Sequence, residues 1–193
     1  MSSFRTSIPA SRRARERRRV QQRILVLCGA AQTEKQYFEG LRNERRKSNI
    51  VVKVRVETSD PLNVVRAAVK HRNADRDVFD DYWVVLDKDE FDIDQAIGLA
   101  EKEGILVALS TPCFEYWLLL HFCDHNAHLS AYRQVVPLLK KHVGDYDKKS
   151  IDFKAYSGRV EDAVQRAGKR WSVCGGQHRN PSTSVHELVR HMI

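Results

Sequence analysis

At the centre of the chain stands Asp81-Tyr-Trp-Val-Val-Leu-Asp87-Lys88-Asp89, a short apolar run followed by two aspartates two positions apart. A continuous apolar run of this length is typical of a strand buried on both faces, as in a parallel sheet. Ligands of open α/β sheets collect at the carboxyl ends of the strands, where Asp87 and Asp89 lie. Two carboxylates at such an end predict a site for a divalent cation.

Strand and helix patterns alternate on both sides of this run. Further strands are predicted at residues 24–28, 51–56 and 105–109. Thr33 is predicted to be the N-cap of the first helix, Pro61 opens the second, and the third covers residues 92–103 and ends before Gly104. This alternation predicts an α/β fold, Rossmann-like, with a mostly parallel four-stranded sheet flanked by helices.

The second half of the chain is predicted to be helical. Ser110-Thr111-Pro112 marks a helix start, with proline near the first turn. Helices are expected over residues 113–122, 128–142, 158–171 and 182–193, with Pro137 marking a kink or break. Residues 23–193 are therefore interpreted as one domain with a helical C-terminal extension.

The positive charge is concentrated in the first residues. The chain carries a net charge of +8, and residues 1–23 hold eight arginines against one glutamate, or +7. Residues 1–22 are interpreted as a flexible arm whose arginines bind a nucleic-acid backbone; a solvated tail is the alternative. The arginines assigned to this contact are Arg12, Arg13, Arg15, Arg17, Arg18 and Arg19.

Composition favours a cytoplasmic protein. Hydrophobic residues make up 42% of the chain and charged residues 30%, which is ordinary for a globular domain. No apolar stretch reaches the length of a membrane span, and the arginine-rich start is not a secretory signal. The four cysteines show no C-x-x-C spacing, and with the neighbouring histidines they give no regular pattern of zinc ligands.

Two glutamates and one histidine are further candidates for a site. Glu34 follows the first strand and could approach Asp87, although by spacing alone a favourable interaction with its helix N-terminus is preferred. Glu115 and His121 lie in a nearly all-apolar helix, where an ionisable group needs a partner or a chemical role. A hydrogen-bonded core histidine is preferred for His121, and both interpretations stay open for Glu115.

The sequence resembles the RloB-like family of bacterial and archaeal phage-defence proteins, over nearly the whole chain. The resemblance rests on the arginine-rich lead-in and four strings: Ile24-Leu-Val-Leu-Cys28 with Thr33-Glu34 and Tyr37-Phe38; Val84-Val-Leu-Asp87-Lys-Asp89; Thr111-Pro-Cys-Phe-Glu-Tyr-Trp-Leu-Leu-Leu-His-Phe122; and Asn180-Pro-Ser-Thr-Ser-Val-His-Glu-Leu-Val189. The third string is the most specific.

The resemblance implies a variant of the Toprim fold, whose members use a glutamate after the first strand and a D-x-D after a later one. It also implies a locus linked to restriction or abortive infection, often beside an AAA-type ATPase. One position departs from the pattern. Relatives read Cys-Glu-Gly at the end of the first strand, whereas this chain reads Cys28-Gly29-Ala30, so Glu34 is the nearest carboxylate.

The expected function is that of an anti-phage nuclease that cleaves a nucleic-acid phosphodiester. Asp87 and Asp89 would bind Mg²⁺ or Mn²⁺, and Glu34 and Glu115 would give acid–base help or a further metal contact. The alternative is a catalytically degenerate module that binds nucleic acid or acts as a sensor for a partner ATPase; a D-x-D glycosyl- or phosphotransferase is a weaker third hypothesis. The sequence leaves open whether the nucleic acid is DNA or RNA, transfer RNA included, and whether the chain forms a homo-oligomer.

Overall fold

The computed structural model describes residues 22–29, 32–45, 50–57, 59–74, 78–88, 93–173 and 179–193. Within these residues the chain forms a five-stranded sheet with helices on both faces. No described helix has the length and apolar character needed to cross a membrane.

The sheet has the strand order β2-β1-β3-β4-β5. Its strands are β1 (Gln22–Cys28), β2 (Ile50–Val56), β3 (Asp81–Asp87), β4 (Leu106–Thr111) and β5 (Ser182–Thr183). The first four are parallel, and the two-residue β5 pairs antiparallel with β4. The prediction of a mostly parallel sheet is confirmed, but the predicted number of four strands is wrong because β5 extends the sheet beyond β4.

Eight helices are formed by the described residues. They are α1 (Thr33–Glu44), α2 (Pro61–Ala74), α3 (Asp94–Glu103), α4 (Phe114–Leu119), α5 (Tyr132–Val143), α6 (Lys154–Ser157), α7 (Val160–Val173) and α8 (Val185–Met192). As predicted, α3 ends at Gly104, whose φ of 65° lies in the left-handed region that favours glycine.

Two apolar layers cover the sheet because successive strand residues face opposite sides. Leu25 and Leu27 face the layer formed by α2 and α3, together with Val84 and Leu86. Ile24, Val26 and Cys28 face the other, larger layer, to which α1, α4, α5, α7 and α8 contribute. The helical second half of the chain is thus packed on the same sheet as the first half.

Four local predictions differ from the structure. The helix predicted from residue 182 begins only at Val185, because Ser182 and Thr183 pair with β4. Thr33 is the first residue of α1 and not its N-cap, since its hydroxyl donates to the Lys148 carbonyl 2.8 Å away. Ser110 and Thr111 end β4 and do not start a helix; a cis Thr111–Pro112 bond follows, and α4 spans only Phe114–Leu119. Pro137 lies inside α5, which continues past it to Val143.

The order of the strands creates a switch point between β1 and β3. From β1 the chain crosses by α1 to β2 on one side, and then returns by α2 to β3 on the other side. The connections that leave β1 and β3 therefore diverge at the carboxyl edge of the sheet. In open α/β sheets this is where ligands bind.

Candidate functional site

A cavity of about 570 Å³ opens at the carboxyl edge of the sheet. Its walls come from the start of α1, the end of β3, the start of α4, the start of α5 and the connection between α5 and α6. The lining residues are Gln32, Thr33, Glu34, Asp87, Cys113, Phe114, Glu115, Tyr132, Lys148 and Lys149.

Three of the four carboxylates predicted from sequence lie in this cavity. Glu34 is the second residue of α1, Asp87 ends β3, and Glu115 is the second residue of α4. They are brought together because β1, β3 and β4 are adjacent and their carboxyl ends share one edge. Asp89 and the arginines between Arg12 and Arg19 lie outside the described residues.

Glu34 is nearly buried, with 2% of its surface exposed. Its Oε2 atom has no hydrogen-bond partner in the part of the chain that the structure describes. Burial, assisted by the negative charge of Glu115, raises the pKa of Glu34 from 4.5 to about 7. At neutral pH this carboxyl therefore exchanges a proton easily, which is the property required of an acid–base catalyst. The preferred interpretation of Glu34 as a residue that only favours its helix N-terminus does not account for this placement.

Glu115 is held in place by a tyrosine. It is 5% exposed, and its Oε1 accepts a hydrogen bond of 2.8 Å from the hydroxyl of the buried Tyr146. Burial and the nearby charge of Glu115 raise the pKa of Tyr146 well above its usual range, so the phenol remains a donor. Glu115 is thus both a hydrogen-bonded buried acid and part of the cavity wall.

Cys113 also lines the cavity, but it is not an activated nucleophile. Burial, together with the charges of Glu115 and Asp87, raises the pKa of this thiol well above its usual range. A thiolate is the reactive form of cysteine. Cys113 therefore serves as a small, protonated wall residue beside the carboxylates.

Residues 146–151 form a segment, here called the strap, that is fastened to the first turn of α1. Thr33 Oγ1 donates to the Lys148 carbonyl at 2.8 Å. Gln36 donates from Nε2 to the Lys149 carbonyl at 2.8 Å and accepts at Oε1 from the Ile151 amide at 2.7 Å. These bonds fix the backbone that carries two lysines to the cavity.

The structure confirms the interpretation of His121 as a hydrogen-bonded core histidine, since its side chain is fully buried. Burial lowers its pKa to about 4, so the ring is neutral at pH 7. Nδ1 then donates to the Trp117 carbonyl at 3.1 Å, and Nε2 accepts from the Tyr37 hydroxyl at 3.0 Å. Both ring nitrogens are satisfied without any ligand, and His121 lies outside the cavity wall.

No three His, Cys, Asp or Glu side chains among the described residues are grouped closely enough to hold a metal ion. The cysteine–histidine set considered for zinc accordingly forms no such group there. Two of its members, Cys174 and His178, lie outside the described residues, as does Asp89 of the predicted D-x-D pair.

Tyr132, Lys148 and Lys149 line the cavity but were missed by sequence reasoning. Tyr132 opens α5, and the Lys148 ammonium lies 5.4 Å from the centre of its ring. Nothing in the local sequence marks these residues, because long-range hydrogen bonds bring the strap to α1. The only signal was the run Lys148-Lys149 between the helices predicted over residues 128–142 and 158–171.

Comparison with known proteins gives one match. The family model described as RloB-like protein matches residues 24–192, nearly the whole chain. No curated protein and no solved structure matches.

Proposed function

This chain belongs to the RloB-like family, and we propose that it is a metal-dependent nuclease with its active site in the cavity at the carboxyl edge of the sheet. The proposal includes the Toprim-like character of the site and a role in anti-phage defence that the sequence resemblance implies. One observation carries it. Glu34, Asp87 and Glu115, which are far apart in sequence, line one cavity at the switch point of the sheet, together with two lysines.

The combination of charges suits a phosphodiester better than a sugar or a neutral metabolite. The carboxylates recruit cations or move protons, whereas Lys148 and Lys149 attract the negative phosphate. Catalysis of phosphoryl transfer depends chiefly on positioning and on charge stabilisation. A mixed set of acids and lysines around one cavity provides both.

The donor atoms fit Mg²⁺ or Mn²⁺. Mg²⁺ in phosphate-handling sites usually takes one or two protein carboxylates, and water and phosphate oxygens complete its shell. Asp87 and Asp89 would hold the ion, so a group of three ligands is not required. The buried Glu34 Oε2, which has no hydrogen-bond partner among the described residues, is available to accept a hydrogen bond from a water of that shell. The bound ion would neutralise charge on the scissile phosphate.

The residues of the chain supply the remaining chemistry. Glu34, with a pKa of about 7, would accept a proton from the attacking water or return one to the leaving oxygen. Tyr146 would keep Glu115 oriented toward the cavity through its 2.8 Å hydrogen bond. Glu115 in turn keeps the pKa of Glu34 raised, because the two negative charges repel each other.

A catalytically degenerate binding module, acting with a partner ATPase, is the second candidate, and Gly29 favours it. A β-carbon at position 29 would lie 3.3 Å from the Val85 carbonyl oxygen and 3.6 Å from side-chain atoms of Val64 and Leu86. The chain therefore lacks the carboxylate expected at position 29, and a side chain at this position would be in tight contact with the Val85 carbonyl. On the nuclease hypothesis, Glu34 takes over as the carboxylate that follows β1.

Cleavage assays separate the two candidates. The protein is incubated with duplex DNA, single-stranded DNA and total RNA, in Mg²⁺, Mn²⁺ or chelator. The test variant is Asp87→Asn, and the matched control is Asp81→Asn at the opposite end of the same strand, where the side chain accepts a bond from Gln22. Circular dichroism establishes that both variants fold.

Metal-dependent cleavage that disappears in Asp87→Asn and persists in Asp81→Asn would support the nuclease. Cleavage that survives in Asp87→Asn would place the active site elsewhere. Binding without cleavage, both alone and in co-expression with an AAA-type ATPase of the kind that the resemblance implies, would favour the degenerate module. Deletion of residues 1–21 tests the arm separately, since Gln22, predicted as the last residue of the arm, is the first residue of β1 and donates to Asp81. The deletion should weaken binding to all nucleic acids and reduce the salt dependence.

A further inference from the structure

Tyr132, Lys148 and Lys149 line the cavity and are here called the rim. The proposed chemistry gives the lysines only a general attraction for phosphate and gives Tyr132 no role. We propose that this rim binds single-stranded nucleic acid: Tyr132 stacks on an unpaired base, and the two lysines contact the adjoining phosphates. This inference rests on the proposed function, because it names the form of nucleic acid that the same cavity receives.

Tyr132 has the exposure that a stacking platform needs. It is 37% exposed, which makes it one of the few exposed large apolar side chains among the described residues. The Lys148 ammonium lies 5.4 Å from its ring centre, so an aromatic surface and a cation are already adjacent. Proteins that bind single strands combine these two features, because every base has a π-face and every nucleotide a phosphate.

The backbone of the two lysines is fixed by hydrogen bonds within the protein, without a bound ligand. The strap carbonyls of Lys148 and Lys149 accept hydrogen bonds from Thr33 and Gln36, both in the first turn of α1. The lysine side chains themselves are exposed. Because their backbone positions are fixed and their side chains are exposed, both lysines can contact a phosphate with less loss of entropy on binding, Lys148 from its position beside the Tyr132 ring.

The burial of Glu34 and Glu115 inside the cavity favours a single strand over a duplex as the ligand. Glu34 and Glu115 are 2% and 5% exposed, so a phosphate must enter the cavity to approach them. A cavity of about 570 Å³ falls in the range of small-molecule sites, roughly 300–1,000 Å³. A nucleotide in a duplex has to leave its stack to enter a pocket of this kind, whereas an unpaired nucleotide does not.

Fluorescence anisotropy tests the rim on the full chain. The probes are a labelled single strand, the duplex of the same sequence, and a mononucleotide as competitor, all in chelator so that no strand is cut. Tyr132→Ala removes the ring and Tyr132→Phe keeps it. The double variant Lys148→Ala/Lys149→Ala removes the charges of the rim. Its matched control is Lys140→Ala/Lys141→Ala, two exposed lysines at the far end of α5.

The single strand should bind more tightly than the duplex. Tyr132→Ala should weaken single-strand binding by about 5- to 150-fold, the range for loss of one base–aromatic stack, with Tyr132→Phe close to wild type. Loss of both rim lysines should reduce the slope of log affinity against log salt by about 1.4 beyond any change in the control pair.

Equal binding of single strand and duplex, or an unchanged affinity in Tyr132→Ala, would overturn the inference. A mononucleotide that competes as strongly as the single strand would replace it with a nucleotide site. Because binding is measured in chelator, failure of the cleavage assay does not affect this result. If the rim binds single strands and the protein does not cleave them, the nuclease hypothesis is refuted and the inference about the rim is still supported.

Discussion

Replacement of Glu34 by glutamine should change how the stability of the protein depends on pH. Burial and the charge of Glu115 raise the pKa of Glu34 from 4.5 to about 7. Between these two pH values the folded protein holds a proton that the unfolded chain has released. The free energy of unfolding must therefore fall as pH rises through this window, and the glutamine variant, which has no proton to lose, should not show this fall.

The size of the effect follows from the change in pKa. A difference of one pKa unit corresponds to about 1.4 kcal/mol, so an increase from 4.5 to about 7 gives roughly 3 kcal/mol in all. Most of it, about 2 to 3 kcal/mol, falls between about pH 5 and about pH 8. The glutamine variant should gain this amount relative to wild type over that interval.

Equilibrium unfolding in urea, at several pH values and in chelator, measures the difference directly. The amide of glutamine adds an offset of its own, but that offset does not vary with pH, so the slope is the quantity to compare. Glu115→Gln serves as the matched variant. Its side-chain oxygen can still accept the hydrogen bond from the Tyr146 hydroxyl. Removal of the negative charge should lower the pKa of Glu34, so that the pH range over which stability falls moves to lower pH.

A difference between wild type and Glu34→Gln that stays constant within about 0.5 kcal/mol from about pH 5 to about pH 8 would refute the reasoning. It would mean that Glu34 ionises in the folded protein as it does in the unfolded chain. The acid–base role assigned to Glu34 would then lose its physical basis.

Two further predictions concern stability and are measured by urea unfolding at pH 7. Gly40→Ala should destabilise the protein by about 1–3 kcal/mol or more, because the new β-carbon would clash with the β-carbon of Phe153. Gly98→Ala, a control in another helix with nothing within 4 Å, should stabilise it by about 0.5–1 kcal/mol; equal effects would contradict the packing argument. Tyr37→Phe should cost about 1–3 kcal/mol, since it leaves Nε2 of the buried His121 without a donor, and a loss below about 0.5 kcal/mol would show that this bond contributes little.

The sheet was largely predictable because β1, β3 and β4 contain short apolar runs, and β2 alternates apolar with basic residues. β5 was not, since Ser182 and Thr183 are two polar residues with no period to detect, and they are buried only because they pair with β4. The predicted helix start at Ser110 was also wrong, because local sequence does not show how far β4 extends. A proline after Thr111 suits a helix start in sequence, but here the strand extends up to it.

The candidate site was predictable where it follows strand ends. Asp87 and Glu34 could be placed near each other because parallel strands share a carboxyl edge, and Glu115 was notable as an acid in an apolar helix. Tyr132 and the strap lysines could not be placed in this way. The position of the strap lysines depends on hydrogen bonds that join residues more than 110 positions apart, such as Thr33 to Lys148. The position of Tyr132 depends on the packing of α5 against α4.

The late position of β5 in the sequence has a consequence for biosynthesis. Leu109 in β4 exchanges backbone and side-chain hydrogen bonds with Ser184, which lies 75 residues further along the chain. While the ribosome is still making the intervening residues, the outer edge of β4 has no strand beside it. Unpaired strand edges are templates for non-native association. In a nascent chain of this protein the carboxyl end of β4, from Leu109 to Thr111, therefore stays unpaired on this side until Ser182, Thr183 and Ser184 have been synthesised.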